Sequence, residues 1–312
     1  MFMIPVYMIN GFLESGKTEF IKYTLAQPYF QTRGKTLLIV CEEGESEYEV
    51  ALLKKTRTIL ELIEEQEDFN IEHLKELEKK YKPERIVIEY NGMWNCRDLV
   101  LPSNWTVEQQ ITTIDASSFQ MYYTNMKSLV GEMVRKSEMI IFNRCDGIKD
   151  LSSYKRNVKA VNQQADIIFE DSEGEVNEMM EEELPYDLKA DVITLDNKGY
   201  GVWYLDALDH IERYEGKTIQ YIGMVLRPKK FPAGFFVPGR MAMTCCAQDM
   251  AFLGFACKFD AAKDLPEKSW VKVTAVVKKE YFSDYKGEGP VLYATEITAS
   301  KPPKEPVIDF SQ

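Results

Sequence analysis

The chain has 312 residues, of which 38 are basic and 50 are acidic, so its formal net charge is −12. This length predicts two domains or one large one, and the acidic balance disfavours proteins that bind nucleic acid or anionic membranes. No apolar run is long enough to span a bilayer, and no signal-peptide pattern opens the sequence. The six cysteines do not resemble a secreted disulfide framework. We therefore expect a cytoplasmic protein with no membrane span and no nucleic-acid partner.

The first predicted element is an apolar strand at residues 3–9, followed by the run GFLESGKT from Gly11 to Thr18 and then a helix. This run matches the phosphate-binding pattern G-x-x-x-x-G-K-[ST] in its required context of strand, loop and helix. Backbone N–H groups of such a loop converge on phosphate oxygens. Lys17 would bridge the outer phosphates, and the Thr18 hydroxyl would hold Mg²⁺. The nucleotide-binding residues predicted in this loop are Gly11, Glu14, Ser15, Gly16, Lys17 and Thr18.

Strands and helices alternate over the first two-thirds of the chain. Strands are predicted at residues 3–9, 35–41, 56–63, 85–90, 110–114, 138–142, 166–169 and 191–195. Helices are predicted at residues 17–27, 46–54, 70–82, 117–135 and 151–164. Several strands are apolar throughout, which is typical of strands buried on both faces of a parallel sheet. The pattern predicts an α/β domain with a doubly wound, mostly parallel sheet of the P-loop NTPase type.

One apolar strand of this domain ends in Glu89 and is followed by Gly92. An acid at a strand tip can hold a Mg²⁺-bound water, and a glycine there lets the backbone approach the γ-phosphate and change shape after hydrolysis. Lys17, Thr18, Glu89 and Gly92 are therefore the predicted catalytic residues, with Thr18 and Glu89 at Mg²⁺. An ordinary strand end is the alternative interpretation of Glu89 and Gly92.

A second nucleotide motif follows the strand at residues 138–142 and reads Asn143-Arg144-Cys145-Asp146, close to the guanine-reading pattern N-K-x-D. Asp146 could accept two hydrogen bonds from guanine that adenine cannot offer. Asn143 would brace the loop and face guanine N7, and the stem of residue 144 would cover the base plane. Arg144 in place of lysine keeps a long stem and a charge, and its planar guanidinium stacks well. The alternative is that Asn143 and Asp146 simply end a strand at a turn.

After about residue 200 the pattern changes to a short helix at residues 204–214 and five strand candidates. These strands are predicted at residues 218–226, 235–245, 250–259, 270–279 and 291–299. Five strands with Gly and Pro turns predict a small all-β barrel of the OB type. We predict a first domain at residues 1–203 and a barrel domain at residues 204–312, with an extended tail near residues 301–306.

Four motifs in order resemble those of the CobW branch of the metal-insertion GTPases, relatives of HypB and UreG. They occupy residues 11–18, 89–92, 113–116 and 143–146, and the stretch at 41–45 is similar to that family's switch region near Mg²⁺. The resemblance covers about residues 1–200. It implies a GTPase coupled to metal-cofactor handling, similar to a metallochaperone. The partners it implies are GTP and GDP, a client metalloprotein or membrane transporter, and a second copy of the chain.

The chain departs from this family at three places. The cysteines of a C-x-C-C metal motif are absent from residues 56–63, so the thiolates that Zn²⁺ favours are missing at the usual position. Glu14 stands where the phosphate loop usually has a small residue, and its carboxylate must point away from the phosphates or weaken binding. Glu19 stands where the family often has a second threonine.

The second domain resembles the soluble C-terminal domain of YcgQ-type proteins over about residues 216–312. The resemblance centres on the pattern R-x-x-x-x-C-C-A-x-D, which runs from Arg240 to Asp249. Cys245 and Cys246 could bind Zn²⁺ or another transition metal, although adjacent residues on a strand face opposite ways. The alternative is that they are small buried apolar side chains. With only His73 and His210 in the chain, a histidine-rich metal site is excluded.

Taken together, these features predict a protein that binds GTP with Mg²⁺ and hydrolyses it to GDP and phosphate. No side chain stands out as a general base, so turnover should be slow until a partner or a dimer completes the site. Two alternatives remain open. One is a nucleotide-gated adaptor with little turnover and no metal cargo, and the other is an ATP-using enzyme of the same fold.

Overall fold

The computed structural model describes residues 3–176, 184–243 and 250–310. The chain divides into two compact units, Met1–Met180 and Glu181–Gln312. No helix in these described ranges is both long enough and apolar enough to cross a bilayer.

The first unit is built on one large sheet. Its described strands are β1 Ile4–Asn10, β2 Thr36–Val40, β3 Thr58–Leu62, β4 Arg85–Glu89, β5 Trp105–Asp115, β6 Met139–Asn143, β7 Asp166–Asp171 and β8 Gly174–Glu175. They are ordered β3-β2-β4-β1-β5-β6-β7-β8. All neighbours are parallel except β7 and β8, which form an antiparallel hairpin. The predicted doubly wound, mostly parallel sheet is confirmed.

Helices cover both faces of this sheet. They are α1 Lys17–Ala26, α2 Val50–Lys55, α3 Ile71–Tyr81, α4 Ala116–Asn125, α5 Lys127–Arg135 and α6 Leu151–Lys159. Alternation along β4 shows the two layers, because Val87 packs with Ile21 of α1 whereas Ile86 packs with Leu74 of α3. The predicted single helix at 117–135 is two helices, since Met126 leaves the helical region at φ −132° and ψ 36°.

The motif-bearing strands lie side by side at the centre of the sheet, in the order β4-β1-β5-β6. Because they are parallel, their carboxyl ends meet at one edge, where ligands bind in open α/β sheets. The register brings Ile9 opposite Glu89 and Asp115 opposite Asn143. The topology therefore gathers motifs that are up to about 130 residues apart in sequence.

The second unit contains a closed barrel. Its described elements are β9 Val192–Thr194, α7 Asn197–Asp209, β10 Thr218–Leu226, β11 Phe235–Met243, β12 Met250–Leu253, β13 Ala256–Lys258, β14 Trp270–Phe282, β15 Gly287–Ala299 and β16 Val307–Asp309. Five strands close in the cycle β10-β11-β13-β15-β14, so the predicted five-stranded barrel is confirmed. The strands β12 and β16 add to β11, and β9 adds to β10.

The structure differs from the predicted domain limits. The strand predicted at 191–195 was assigned to the first domain, but β9 pairs in parallel with β10 of the barrel. The predicted boundary between residues 203 and 204 falls inside α7, which begins at Asn197 after Asp196 accepts a capping hydrogen bond from the Gly199 N–H, 2.7 Å away. The strand predicted at 250–259 is two strands, β12 and β13, that pair with different stretches of β11.

Candidate functional site: a nucleotide site at the carboxyl edge of the first sheet

The phosphate loop joins β1 to α1, and two of its glycines are required by the backbone. Gly11 and Gly16 have φ of 147° and 93°, a region that side chains disfavour. A Cβ on Gly16 would lie 2.7 Å from Nδ2 of Asn143, and one on Gly11 would lie 2.4 Å from the Thr113 carbonyl oxygen. The loop therefore packs directly against the carboxyl ends of β5 and β6.

Glu14, the unusual carboxylate of the loop, turns toward the stretch between β2 and α2. Its Oε1 accepts a hydrogen bond from the Glu45 N–H over 2.9 Å, and its own backbone has a φ of 60°. The side chain thus links the phosphate loop to the stretch that is similar to a family switch region.

Lys17 is buried, with 3% of its surface exposed. Its ammonium donates to the carbonyl oxygens of Gly11 and Phe12, at 2.8 and 3.0 Å, and forms an ion pair with Glu42. A buried ammonium is tolerated only when it is paired and hydrogen-bonded. Glu42 therefore neutralises the lysine that would otherwise face phosphate oxygens.

Thr18 and Glu89, the two residues predicted to hold Mg²⁺, are in direct contact. The Thr18 hydroxyl donates to Oε1 of Glu89 over 2.7 Å, and the Tyr48 hydroxyl donates to Oε2. Burial raises the pKa of Glu89 and that of Tyr48, whereas the two hydroxyl donors favour the ionised form of the Glu89 carboxylate. Hydroxyl and carboxylate oxygens are the ligands that Mg²⁺ takes in proteins, so these residues fit that ion.

Gly92 lies against the backbone of the phosphate loop. A Cβ placed on Gly92 would come within 2.2 Å of the Gly11 carbonyl oxygen and 2.7 Å of the Phe12 Cα. These are backbone atoms that cannot swing away. Glycine at this position therefore allows the segment after β4 to touch the loop.

The motif that is close to N-K-x-D begins at Asn143, the last residue of β6. The Asn143 side chain donates from Nδ2 to the Ser15 carbonyl oxygen over 2.7 Å, so it braces the phosphate loop as predicted from its motif. The Arg144 guanidinium donates to the Glu14 carbonyl oxygen over 2.7 Å and pairs with Asp115 over 2.5 Å. Arg144 has a φ of 55°, which turns the chain sharply after the strand.

Asp146 is exposed and contacts the loop that follows β7. Its Oδ1 accepts from the Ser172 N–H over 3.2 Å and from the Ser172 hydroxyl. The Ser172 side-chain and backbone hydrogen bonds lower the pKa of Asp146. The carboxylate therefore stays ionised and able to accept hydrogen bonds at neutral pH.

Two residues that contact the site, Tyr48 and Ser172, lie outside every motif found in the sequence. Thr113 and Asp115 belong to the motif at residues 113–116, but the sequence predicted no individual role for them. Thr113 lies 3.0 Å from the Ser15 hydroxyl, oxygen to oxygen. Ser172 directly follows β7, just as Arg144 directly follows β6. Because β6 and β7 are neighbouring parallel strands, the residues that follow them lie at the same edge of the sheet, and the position of Ser172 after a predicted strand could have indicated this. Tyr48 carried no such signal, because it lies in an irregular stretch.

The predicted transition-metal residues Cys245 and Cys246 lie outside the described residues. Within the ranges that are described, no group of three or more His, Cys, Asp or Glu side chains has an arrangement suited to a metal ion. Cys257 is buried in β13, where burial raises the pKa of its thiol. Its chemistry is that of a structural, protonated cysteine.

Comparison with known proteins supports both resemblances. The family model described as CobW/HypB/UreG, nucleotide-binding domain, matches residues 5–169, and the model of the DUF1980 C-terminal domain matches residues 170–308. The recognition of the two families from their motifs is thereby confirmed. The comparison with curated proteins found no match.

Several solved structures are similar to this chain at low identity. Zn(II)-bound YjiA GTPase from E. coli is 15% identical over 81% of this chain and 89% of that chain, with a TM-score of 0.41. HypB from Archaeoglobus fulgidus is 17% identical over 55% of this chain and 82% of that chain, with a TM-score of 0.38. HypB from Helicobacter pylori in complex with nickel is 13% identical over 54% and 80%, with a TM-score of 0.35. Because the first family model spans more than half of the sequence, the chain belongs to the CobW/HypB/UreG family of P-loop GTPases.

Proposed function

We propose that the chain binds GTP together with Mg²⁺ and hydrolyses it to GDP and phosphate. The observation that carries this proposal is the 2.7 Å hydrogen bond between Asn143 and the Ser15 carbonyl oxygen. It joins the guanine-reading motif to the phosphate loop, so that both flank one ligand position. Family membership supports the same assignment.

At the phosphate end, Lys17 would exchange Glu42 for phosphate oxygens, and the N–H groups of the loop would hold the same phosphates. Thr18 and Glu89 would hold Mg²⁺ and its waters. When bound, this ion would neutralise charge that develops on the phosphates. Gly92 would let its segment approach the γ-phosphate.

At the base end, Asp146 would accept hydrogen bonds from the ring N–H and amino group of guanine. Asn143 would keep the loop in register with the phosphates, and the stem of Arg144 would cover the base. Positioning and charge stabilisation can account for hydrolysis without a general base, although slowly. We expect a partner or a second copy of the chain to raise the rate.

Metal handling is the second part of the proposal and rests on family membership alone. Zn²⁺ or another transition metal would be the cargo, and a client metalloprotein or a membrane transporter would receive it. Cys245 and Cys246 are the candidate ligands, since thiolates favour such ions. A nucleotide-gated adaptor without metal cargo is the alternative.

Multiple-turnover hydrolysis by the purified full chain tests the proposal. We expect Mg²⁺-dependent release of phosphate from GTP, little release from ATP, and a rate that changes when Zn²⁺, Co²⁺ or Ni²⁺ is added. Elemental analysis with and without a non-hydrolysable GTP analogue would show whether metal is carried. Rates that ignore every transition metal, in a protein that holds none, would favour the adaptor. Preference for ATP would contradict the guanine assignment.

A further inference from the structure

Tyr48 contacts the phosphate end of the site but lies outside every sequence motif. It borders a cavity of about 230 Å³ that is also lined by Thr18, Glu42 and Glu89. Its hydroxyl donates to Oε2 of Glu89, while the Thr18 hydroxyl donates to Oε1 over 2.7 Å. Each oxygen of one carboxylate is thus held by a different hydroxyl, which fixes the plane of the carboxylate.

The Tyr48 ring is itself held in place. It packs against the buried apolar cluster between α1 and the sheet, which contains Ile21, Leu25 and Val40. A tyrosine side chain has only two torsions to fix, so such packing delivers the hydroxyl at low entropic cost. Glu89 is 3% exposed, and a buried carboxylate requires donors of this kind.

The stretch that carries Tyr48 contacts the site at three points. Glu42 pairs with Lys17, the Glu45 N–H donates to Glu14, and Tyr48 donates to Glu89. The first contact must be exchanged when phosphate meets Lys17. The Tyr48 contact is made to Oε2 of Glu89, which leaves Oε1 to the Thr18 hydroxyl.

We propose that Tyr48 is a positioning residue that orients the Glu89 carboxylate toward the waters of the nucleotide-bound Mg²⁺. This inference rests on the proposed function and assigns a new residue to the same site. Tyr48 acts through Glu89 and does not touch the nucleotide.

The test is Tyr48→Phe, which removes one oxygen and keeps the ring packed. We expect the Mg²⁺ concentration for half-maximal turnover to rise about tenfold, which corresponds to about 1.4 kcal/mol. The KM for GTP at saturating Mg²⁺ should change less than about twofold, and so should the affinity for a fluorescent GTP analogue in EDTA, because phosphate and base contacts are untouched. The control is Tyr29→Phe at a residue that is 78% exposed, which should alter neither quantity.

Three results would overturn the inference. An unchanged Mg²⁺ requirement would show that Thr18 alone orients Glu89, and a lower one would show that Tyr48 withholds Glu89 from the ion. Equal losses of affinity with and without Mg²⁺ would show a packing role only. Failure of the proposed hydrolysis is distinguishable from failure of this inference. In that case the wild type would release no phosphate from GTP but would still bind a non-hydrolysable fluorescent GTP analogue with Mg²⁺. The effect of Tyr48→Phe would then be measured as a change in this Mg²⁺-dependent binding.

Discussion

The two ends of the nucleotide site are built differently. At the phosphate end, Lys17 and Glu89 are each 3% exposed, and their charged groups already have partners within the chain. At the base end, Asp146 is exposed and the Arg144 side chain is 53% exposed. Buried charges must be matched by protein groups before any ligand arrives, whereas exposed charges are matched by water. The difference predicts that changes at the phosphate end abolish binding, while changes at the base end alter which nucleotide is chosen.

Lys17→Ala should have the largest effect. It removes the ammonium proposed to meet the phosphates, and it leaves Glu42, a carboxylate that would then repel them, without its ion-pair partner. We expect nucleotide affinity and turnover to fall at least about 100-fold, which corresponds to about 2.7 kcal/mol. Titration of a fluorescent GTP analogue measures the loss.

Lys22→Ala on the same helix is the control for this change. Lys22 pairs with Glu19 and Glu49 at the surface, where ion pairs are worth little. The affinity of the Lys22→Ala variant for the GTP analogue should stay within about twofold of the wild type. A Lys17→Ala protein that bound GTP as tightly as the control would remove Lys17 from the site.

Gly92→Ala should come next. The added Cβ would meet the Gly11 carbonyl oxygen at 2.2 Å, so the phosphate loop or the strand end must shift. Such overpacking costs about 1–3 kcal/mol, and because the displaced atoms belong to the loop, we expect GTP affinity to fall about tenfold or more. Calorimetric titration measures it, with circular dichroism to verify folding.

Gly287→Ala is the matched change in the barrel. The nearest atom to its added Cβ would be the Tyr285 carbonyl oxygen at 3.9 Å. It should leave both GTP affinity and the melting temperature unchanged. If the two alanine variants behaved alike, the close contact between Gly92 and the phosphate loop would have no role in binding.

The sequence predicted most of the phosphate end because spacing there is dictated by backbone geometry. A loop that wraps a phosphate needs glycines at set positions, and parallel strands place their motifs at one edge without further information. The pairing of Lys17 with Glu42 and of Glu89 with Tyr48 was not predicted. These contacts join the site to an irregular stretch, whose path depends on tertiary packing rather than on periodicity.

The barrel shows the same limit in another form. The sequence predicted five barrel strands and also the strand at residues 191–195, but not that this strand, β9, pairs with β10 of the barrel. Local periodicity indicates that a strand forms and does not name its partner. Likewise, the break at Met126 lies within a sequence that suits a helix on both sides. Local pattern predicts the kind of element, whereas partners and breaks are decided by contacts between distant residues.

Asp146→Asn tests the base end, and its effect should be on choice rather than on binding as a whole. An asparagine offers one acceptor and one donor in place of two acceptors, so it suits xanthine, which has a carbonyl where guanine has an amino group. We expect the preference for GTP over XTP to fall by about 1–3 kcal/mol, the usual value of a paired base contact. Competition against a fluorescent nucleotide measures this preference.

The control for this change is Asp166→Asn at the opposite end of β7, which should keep the wild-type preference. The side-chain carbonyl that Asp146→Asn introduces could still accept a hydrogen bond from Ser172, so the fold of the loop should survive the substitution. A variant that kept its full preference for GTP would show that Asp146 does not read the base.

Arg144→Lys should have the smallest effect, and it separates two roles of this side chain. The guanidinium bonds to the Glu14 carbonyl oxygen and to Asp115, yet half of the side chain is exposed, where ion pairs contribute about 0–1 kcal/mol. A lysine keeps the long stem and the charge but not the planar group that can stack on a base. If Arg144 mainly pins the loop to Glu14 and Asp115, GTP affinity should fall no more than about twofold. A tenfold or larger loss of GTP affinity, with thermal stability unchanged, would instead show that the main contribution of Arg144 is contact with the base. Binding would then be sensitive to substitution at the base end as well as at the phosphate end.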